Sequence, residues 1–346
     1  MRKSKFLTLA HGAGGVETGE LIEELILSRV PEKLVRALGG YGLDVLDDGA
    51  TLDTGRGHVV VSIDSYTVNP PFFPGGDIGV LAAAGSINDV LMMGGRPVAL
   101  MDAIVAQEGF SLEDLDKIIE SFTSVLKENN VALIGGDFKV LPKGDLSGVV
   151  ITTLGIGLAE RVIVDKELKP KDKIIVSGPL GEHGATILAL QYGVNLEETQ
   201  LRSDVKPLTD LMLPLLERYG VYIHAARDPT RGGLAMTLND WARSSGTVIV
   251  VEEDKIPLRE PVVSYAEMLG IDPLALASEG VAVLGVDPGA AGEVVEYMRR
   301  LGYKHASIIG EARSSEKYKG YVLYRSSVGG VRILEPPRGE LVPRIC

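Results

Sequence analysis

Val59–Asp64 reads VVVSID and Val131–Asp137 reads VALIGGD, two short apolar runs that each end on an aspartate. Runs this short and this rich in β-branched residues predict buried strands, with the aspartate delivered at the strand's end. Between them, Asp77–Met93 (DIGVLAAAGSINDVLMM) is Ala-rich and apolar, which predicts a buried helix stopped by Gly94 and Gly95. Val98–Val105 predicts another strand. Ser111–Asn130 is the most regular helix: Ser111 and Asp114 form a capping signature, and apolar residues recur at Leu115, Ile118, Ile119, Phe122, Val125 and Leu126. Val149–Leu158 completes the set as a strand.

A second set follows Lys166–Lys173, a polar stretch containing Pro170 that suits a linker. Ile174–Ser177 predicts a strand running into Gly178–Gly184, with a helix beyond. Further helices are expected at Leu208–Tyr219, Gly233–Ser244 and Gly289–Leu301, and strands at Val248–Val251 and Val281–Val286. The expected fold class is α+β with two domains, 40–160 and 165–312, after an N-terminal segment 1–39. The remainder, 313–346, holds a Tyr/Val-rich hairpin and then Pro336, Pro337 and Pro343, which disfavour helix and predict a mobile, extended arm ending at Cys346.

Composition narrows the function classes. A chain of 346 residues suits two cores, and 45% apolar with 24% charged residues is ordinary for a globular protein. No apolar run reaches spanning length, and basic Met1–Phe6 has no long apolar core behind it, so neither membrane nor secretion is expected and the cytoplasm is. Forty-seven acidic against 35 basic residues, a net charge of −12, argue against a nucleic-acid partner. A nucleotide remains compatible, since metal ions and backbone amides can hold its phosphates. A single cysteine forms no internal disulfide and fits a reducing compartment.

The chemistry gathers on aspartates placed where strands end or glycines turn: Asp47, Asp48, Asp64, Asp89, Asp137 and Asp228. Any one of them alone reads as a turn or helix cap. Together they read as a hard-metal site, because carboxylates brought close repel unless cations lie between them, and Mg2+ with ATP is the natural occupant. No Walker loop occurs; His11–Gly15 and Gly178–Gly184 are the glycine-rich turns able to aim amides at phosphate. Lys139 is a cation near Asp137, Glu279 sits between small residues, and His11 and His183 are possible acid–base groups. Cys346 ends the chain, where a thiol is accessible, and its arm can swing it into a pocket as a substrate carrier.

These stretches resemble one family. Val59–Pro71, Asp77–Gly79, Asn88–Val90, Ile134–Lys139, Arg227–Gly233, Ala277–Gly280 and the ending Pro343–Cys346 are similar, in order and over nearly the whole chain, to HypE, the carbamoyl dehydratases of hydrogenase maturation. The internal motifs are shared with the wider aminoimidazole ribonucleotide synthetase superfamily, which includes selenophosphate synthetase and thiamine-phosphate kinase; the terminal cysteine narrows the resemblance to HypE. It implies that N-terminal domains pair into a barrel in a homodimer, with ATP in a cleft between domains. It implies Asp48, Asp89, Asp137 and Asp228 for Mg2+, and Asp64, Gly135, Gly136 and Lys139 with them around the nucleotide. It also implies that a HypF carbamoyltransferase loads Cys346 as a thiocarbamate, that ATP drives its dehydration to a thiocyanate, and that cyanide passes to iron on HypC–HypD. Glu279 would be the base and Lys139 would orient the thiocarbamate. Phe138 departs from the pattern, since relatives often have Thr there. The competing expectations are a superfamily kinase or synthetase acting on a diffusible molecule, and a scaffold that binds nucleotide without turnover.

Overall fold

The glycine-rich start leads into α1 (Val16–Leu25), and the N-terminal layer is then built from hairpins and one crossover. In the computed structural model, which describes residues 6–194 and 196–339, β1 (Ala50–Asp53) and β2 (His58–Tyr66) form an antiparallel hairpin. A short ribbon, β3 (Phe72–Phe73) with β4 (Gly76–Asp77), leads into α2 (Ile78–Met92). β5 (Arg96–Gln107), α3 (Leu112–Glu128), β6 (Ala132–Leu141) and β7 (Val149–Ala159) follow, and the five strands run in the order β1-β2-β7-β5-β6. β5 and β6 are the parallel pair, and α3 is the crossover that such a pair requires. Ser111 caps α3 by accepting from the Asp114 N–H at 3.2 Å. Asp77 caps α2 by accepting from the N–H groups of Gly79 and Val80, and Ser121 of α3 donates to the same oxygen at 2.6 Å.

The second layer comprises β8 (Lys173–Val176), α4 (Glu182–Gln191), α5 (Leu196–Thr199), α6 (Thr209–Tyr219) and β9 (Ile223–Arg227). It continues with α7 (Gly233–Ser245), β10 (Val248–Glu252), α8 (Glu260–Leu269), β11 (Val283–Val286), α9 (Ala291–Arg300) and β12 (Ser307–Arg313). β13 (Val322–Arg325) and β14 (Val331–Ile333) complete a seven-stranded sheet ordered β14-β13-β10-β12-β8-β11-β9. The hairpin expected in the final segment therefore belongs to this sheet: β13 pairs in parallel with β10, Ile249 opposite Val322. Sheet structure runs to Ile333 rather than stopping at 312. Strands β9 and β12 and helix α8 have no counterpart in the sequence expectations.

α2 has no polar face, and the structure gives the reason. All but one of its residues are buried, because the first sheet covers one side and α3, together with α6 of the second layer, the other. Ile78, Ile87 and Leu91 of α2, Leu211 and Leu215 of α6 and Leu284 of β11 lie in one continuous apolar cluster. The two layers are thus joined by a shared core. Among the described residues no helix is long and apolar enough to cross a membrane.

Leu211 is fully buried in that shared core. Its replacement by alanine should cost about 2–5 kcal/mol of unfolding free energy. Urea titrations followed by Trp241 fluorescence and by far-ultraviolet circular dichroism should shift together; separated transitions would show that the layers unfold independently.

Candidate active site

Three elements bring acidic side chains to one place. Asp48 comes from the turn before β1, Asp89 from the last turns of α2, and Asp228 from the residue after β9. One carboxylate oxygen of each lies within 4.8 Å of the others. Asp89 and Asp228 are buried, at 8% and 3% exposure, although they belong to different layers. Ser62 of β2 donates to Asp89 Oδ2 at 2.6 Å. Asp48 Oδ2 and Asp228 Oδ2 are buried without a hydrogen-bond partner. Asp64, near the end of β2, is close enough to raise the pKa of both Asp89 and Asp228, and its Oδ1 lies 3.4 Å from Arg231 Nη2.

Burial dominates the electrostatics. It drives the carboxyls of Asp48 and Asp89 well above the usual range, with neighbouring carboxylates adding to the rise. Asp228 is pushed up to about 7, first by burial and then by Asp64. Arg227 works against this on the Asp48 side. Its Nε lies 3.0 Å from Asp48, and its remaining nitrogens lie 2.7 Å from Asp165, 3.4 Å from Asp240 and 3.8 Å from Asp47. Arg231 also lowers Asp89 and Asp228, yet burial still wins at both, and Asp228 Oδ2 keeps no hydrogen-bond partner. Oxygen-only donors with unsatisfied buried oxygens are the chemistry of a hard divalent cation, so the residues present fit Mg2+.

Glu279 lies close enough to Asp228, Asp64 and Asp89 to feel their charge. It is 2% exposed, its Oε1 has no hydrogen-bond partner, and burial followed by Asp228 and Asp204 holds its carboxyl well above the normal range. Its loop is backed by the start of α4: the Gly181 N–H donates to Ser278 Oγ at 2.8 Å and the Gly184 N–H to the Ala277 carbonyl at 2.9 Å. These amides of the expected phosphate loop Gly178–Gly184 are therefore spent on supporting the Glu279 loop. Gly280 has to be glycine, since a Cβ there would meet the Asp204 carbonyl oxygen at 1.9 Å. His183 is fully buried, bonds Ser203 Oγ at 2.7 Å and is depressed by burial to about 3, so it stays neutral and serves the core. His11 bonds Thr8 instead, and Gly14, at φ +79°, packs against the Arg231 side chain.

A single chain does not bring Asp137 and Lys139 to the cluster. Both side chains stand exposed on edge strand β6, 3.2 Å apart as an ion pair, on the GGDFK stretch with Gly135 and Gly136. The hydrogen bond from Lys139 lowers the Asp137 pKa, with the Phe138 N–H assisting. Cys346 lies outside the described residues. Reasoning on sequence gave no role to Arg227, which pairs with Asp48, to Asp165, which pairs with Arg227 and bonds Asp47 through its N–H, or to Asp204, which accepts from the Glu279 N–H. The adjacent pair Arg227-Asp228 was the available signal for the first of these: a cation written next to a carboxylate at a strand end.

Carboxyls raised in the folded state bind protons that the unfolded chain has released. The stability they contribute is present below about pH 4 and is lost as pH rises through about 7, the value of Asp204 and Asp228. Mg2+ should replace those protons. Its rise in melting temperature should be larger at pH 8 than at pH 5, and Asp228→Asn should abolish it; an equal rise at both values, or one surviving the substitution, would remove this cluster as the metal site.

Comparison with known proteins agrees with this architecture. The model of the AIR synthase related protein N-terminal domain matches residues 46–159, and that of the C-terminal domain matches 169–323. Carbamoyl dehydratase HypE of Azotobacter vinelandii is 40% identical over 341 residues, covering 98% of this chain and 96% of the relative. A HypE–HypF complex contains a chain with a TM-score of 0.83 and 37% identity, covering 92% of this chain and 99% of that one. A hydrogenase maturation protein HypE in complex with ATP gives a TM-score of 0.80 at 36% identity, covering 99% and 100%. With two layers, the acidic cluster and this full-length similarity in agreement, the chain belongs to the HypE family of AIR synthase related proteins.

Proposed function

We propose that the chain uses ATP to dehydrate a thiocarbamate on Cys346 to a thiocyanate, so supplying cyanide for hydrogenase iron. The observation that carries this reading is the acidic trio Asp48, Asp89 and Asp228, with buried Glu279 close enough to feel the charge of Asp228 and Asp89, in a member of the HypE family. The carbonyl oxygen of a thiocarbamate is a poor leaving group. Transfer of the γ-phosphoryl group of ATP to that oxygen releases ADP and turns it into phosphate, which departs as the C–O bond breaks. Nitrogen gives up both protons, and carbon and nitrogen become triply bonded. Phosphoryl transfer depends on positioning and charge neutralisation, and Mg2+ held by the three aspartates would supply that charge. Glu279 takes a proton from nitrogen; a carboxyl raised by its surroundings is the stronger base once ionised. A HypE–HypF complex is known for a relative, so loading of Cys346 by a HypF-type carbamoyltransferase and delivery to HypC–HypD extend the same reading.

Lys139 and Asp137 enter through a second copy. β6 is an open edge, and Ile134, Phe138 and Val140 are exposed along it, while Ile63, Met101 and Leu158 are exposed on the same domain's sheet. A long apolar edge is normally covered. Pairing two N-terminal domains into a barrel covers it and carries the GGDFK stretch toward a neighbouring cleft, where Lys139 can orient the thiocarbamate. On this reading Asp137 joins Asp48, Asp89 and Asp228 at Mg2+, and Gly135 and Gly136 lie along the nucleotide.

Phosphate release from protein carbamoylated with carbamoyl phosphate, ATP and a HypF-type enzyme tests the chemistry. Cys346→Ala should take up no carbamoyl mass, and Glu279→Gln should take it up yet dehydrate about 100-fold or more slowly. Full turnover by the cysteine variant would favour the diffusible-substrate alternative, and no phosphate from wild type would favour the scaffold. Separately, Phe138→Asp should convert a dimer to a monomer in light scattering and lower turnover with it; an unchanged dimer would refute the use of this edge.

A further inference from the structure

The side chain next to Asp89, a proposed metal ligand, bonds backbone groups rather than the acidic cluster. Asn88 is fully buried, and its Nδ2 donates to the Lys206 carbonyl at 3.1 Å and to the Glu279 carbonyl at 3.4 Å. Its Oδ1 accepts from the Leu208 N–H at 2.8 Å. The segment so held returns to the same loop: Asp204 Oδ1 accepts from the Glu279 N–H at 3.1 Å, and the Lys206 N–H reaches the Glu279 carbonyl at 3.4 Å. Ser203 is fixed in turn by His183, and its Oγ accepts from the Val205 N–H at 3.1 Å. Both backbone polar groups of Glu279 are therefore claimed by one brace, whose other end is one residue from Asp89.

We propose that Asn88 and Asp204 are positioning residues that register Glu279 against the metal helix. Neither reaches the substrate. A buried amide bonded on both sides has one orientation, and losing it leaves several backbone groups without partners. The purpose of such a brace is geometric. The carboxylate of Glu279 is reached through rotatable side-chain bonds, so its backbone must be fixed independently of the cation proposed at the aspartates. An error of about 1 Å at a base costs on the order of 100-fold in rate. Asn88 lets one helix place the metal ligand and the base loop together. The inference rests on the proposed role of Glu279.

The test is a double-mutant cycle on the full-length carbamoylated protein. Asn88→Ala should slow single-turnover phosphate release by about 30-fold or more, with the Mg-ATP dissociation constant held within about threefold. On a Glu279→Gln background, Asn88→Ala should add less than about threefold, since the group it positions is gone. If Asn88→Ala unfolds, Asp204→Ala carries the same expectations, and Asp204→Asn, which keeps the accepting oxygen, should recover most of the lost rate. Additive losses, or loss of nucleotide affinity parallel to loss of rate, would overturn the positioning role. Wild type and Glu279→Gln reacting equally fast would instead sink the assignment of Glu279 as base.

Discussion

Buried carboxylates repel one another, and most of what is unusual in this molecule follows from bringing Asp48, Asp89, Asp228 and Glu279 close together. Removing an ionised carboxylate from water is expensive unless a cation or hydrogen bonds answer it. The chain answers only in part. Arg227 is drawn toward Asp47, Asp48, Asp165 and Asp240, and Ser62 serves Asp89, but Asp228 and Glu279 each retain an orphaned oxygen. The unanswered part is what a divalent ion and a reacting amide can use. A site fully neutralised by its own arginines would be more stable and would have no use for Mg2+.

Such a cluster needs a rigid frame, because repelling groups separate wherever the backbone yields. The frame is the shared core: α2 is buried between the two layers and carries Asp89 on the same body as Ile87 and Leu91. Close backbone approaches tighten it. Besides Gly280, Gly85 lies so near Tyr66 that an added Cβ would meet the hydroxyl at 2.2 Å. Apolar burial, which is non-directional, holds the layers together, while directional hydrogen bonds from Ser62 and Asn88 and to Ser278 set where the polar groups point.

How much of this could be read in the sequence depended on the kind of signal. The regular elements were legible where periodicity or capping was strong, as in α3 with its Ser111 cap and in α2 with its uninterrupted apolar run. β9, reading IHAAR, and β12, reading SIIGEAR, have no clean alternation. They are strands because they lie beside β11 and β8, which is a tertiary reason. Gly310 inside β12 looks like a breaker, yet a Cβ there would meet the Val250 carbonyl oxygen at 2.3 Å, so glycine is what lets β10 approach. In the cleft, Asp48, Asp64, Asp89, Asp228 and Glu279 were legible as acids at the ends of elements. Asp204 was not, since it lies in an irregular stretch between α5 and α6 with no pattern to mark it.

The same distinction explains why Asp137 looks right in sequence and misplaced in one chain. Its motif is local: a strand, two glycines and an acid, all as expected on β6. Its role depends on what lies beyond the edge of that strand, and no local pattern encodes a neighbour. Asp137 and Lys139 face solvent paired with each other, an exposed ion pair worth little to folding. Beside them Ile134 and Phe138 expose apolar surface on an open strand edge, which solvent penalises and a second copy relieves. Stability of one chain therefore explains neither the charges nor the apolar residues of β6. The pairing proposed above would explain both, and it would make assembly a condition for chemistry rather than an addition to it.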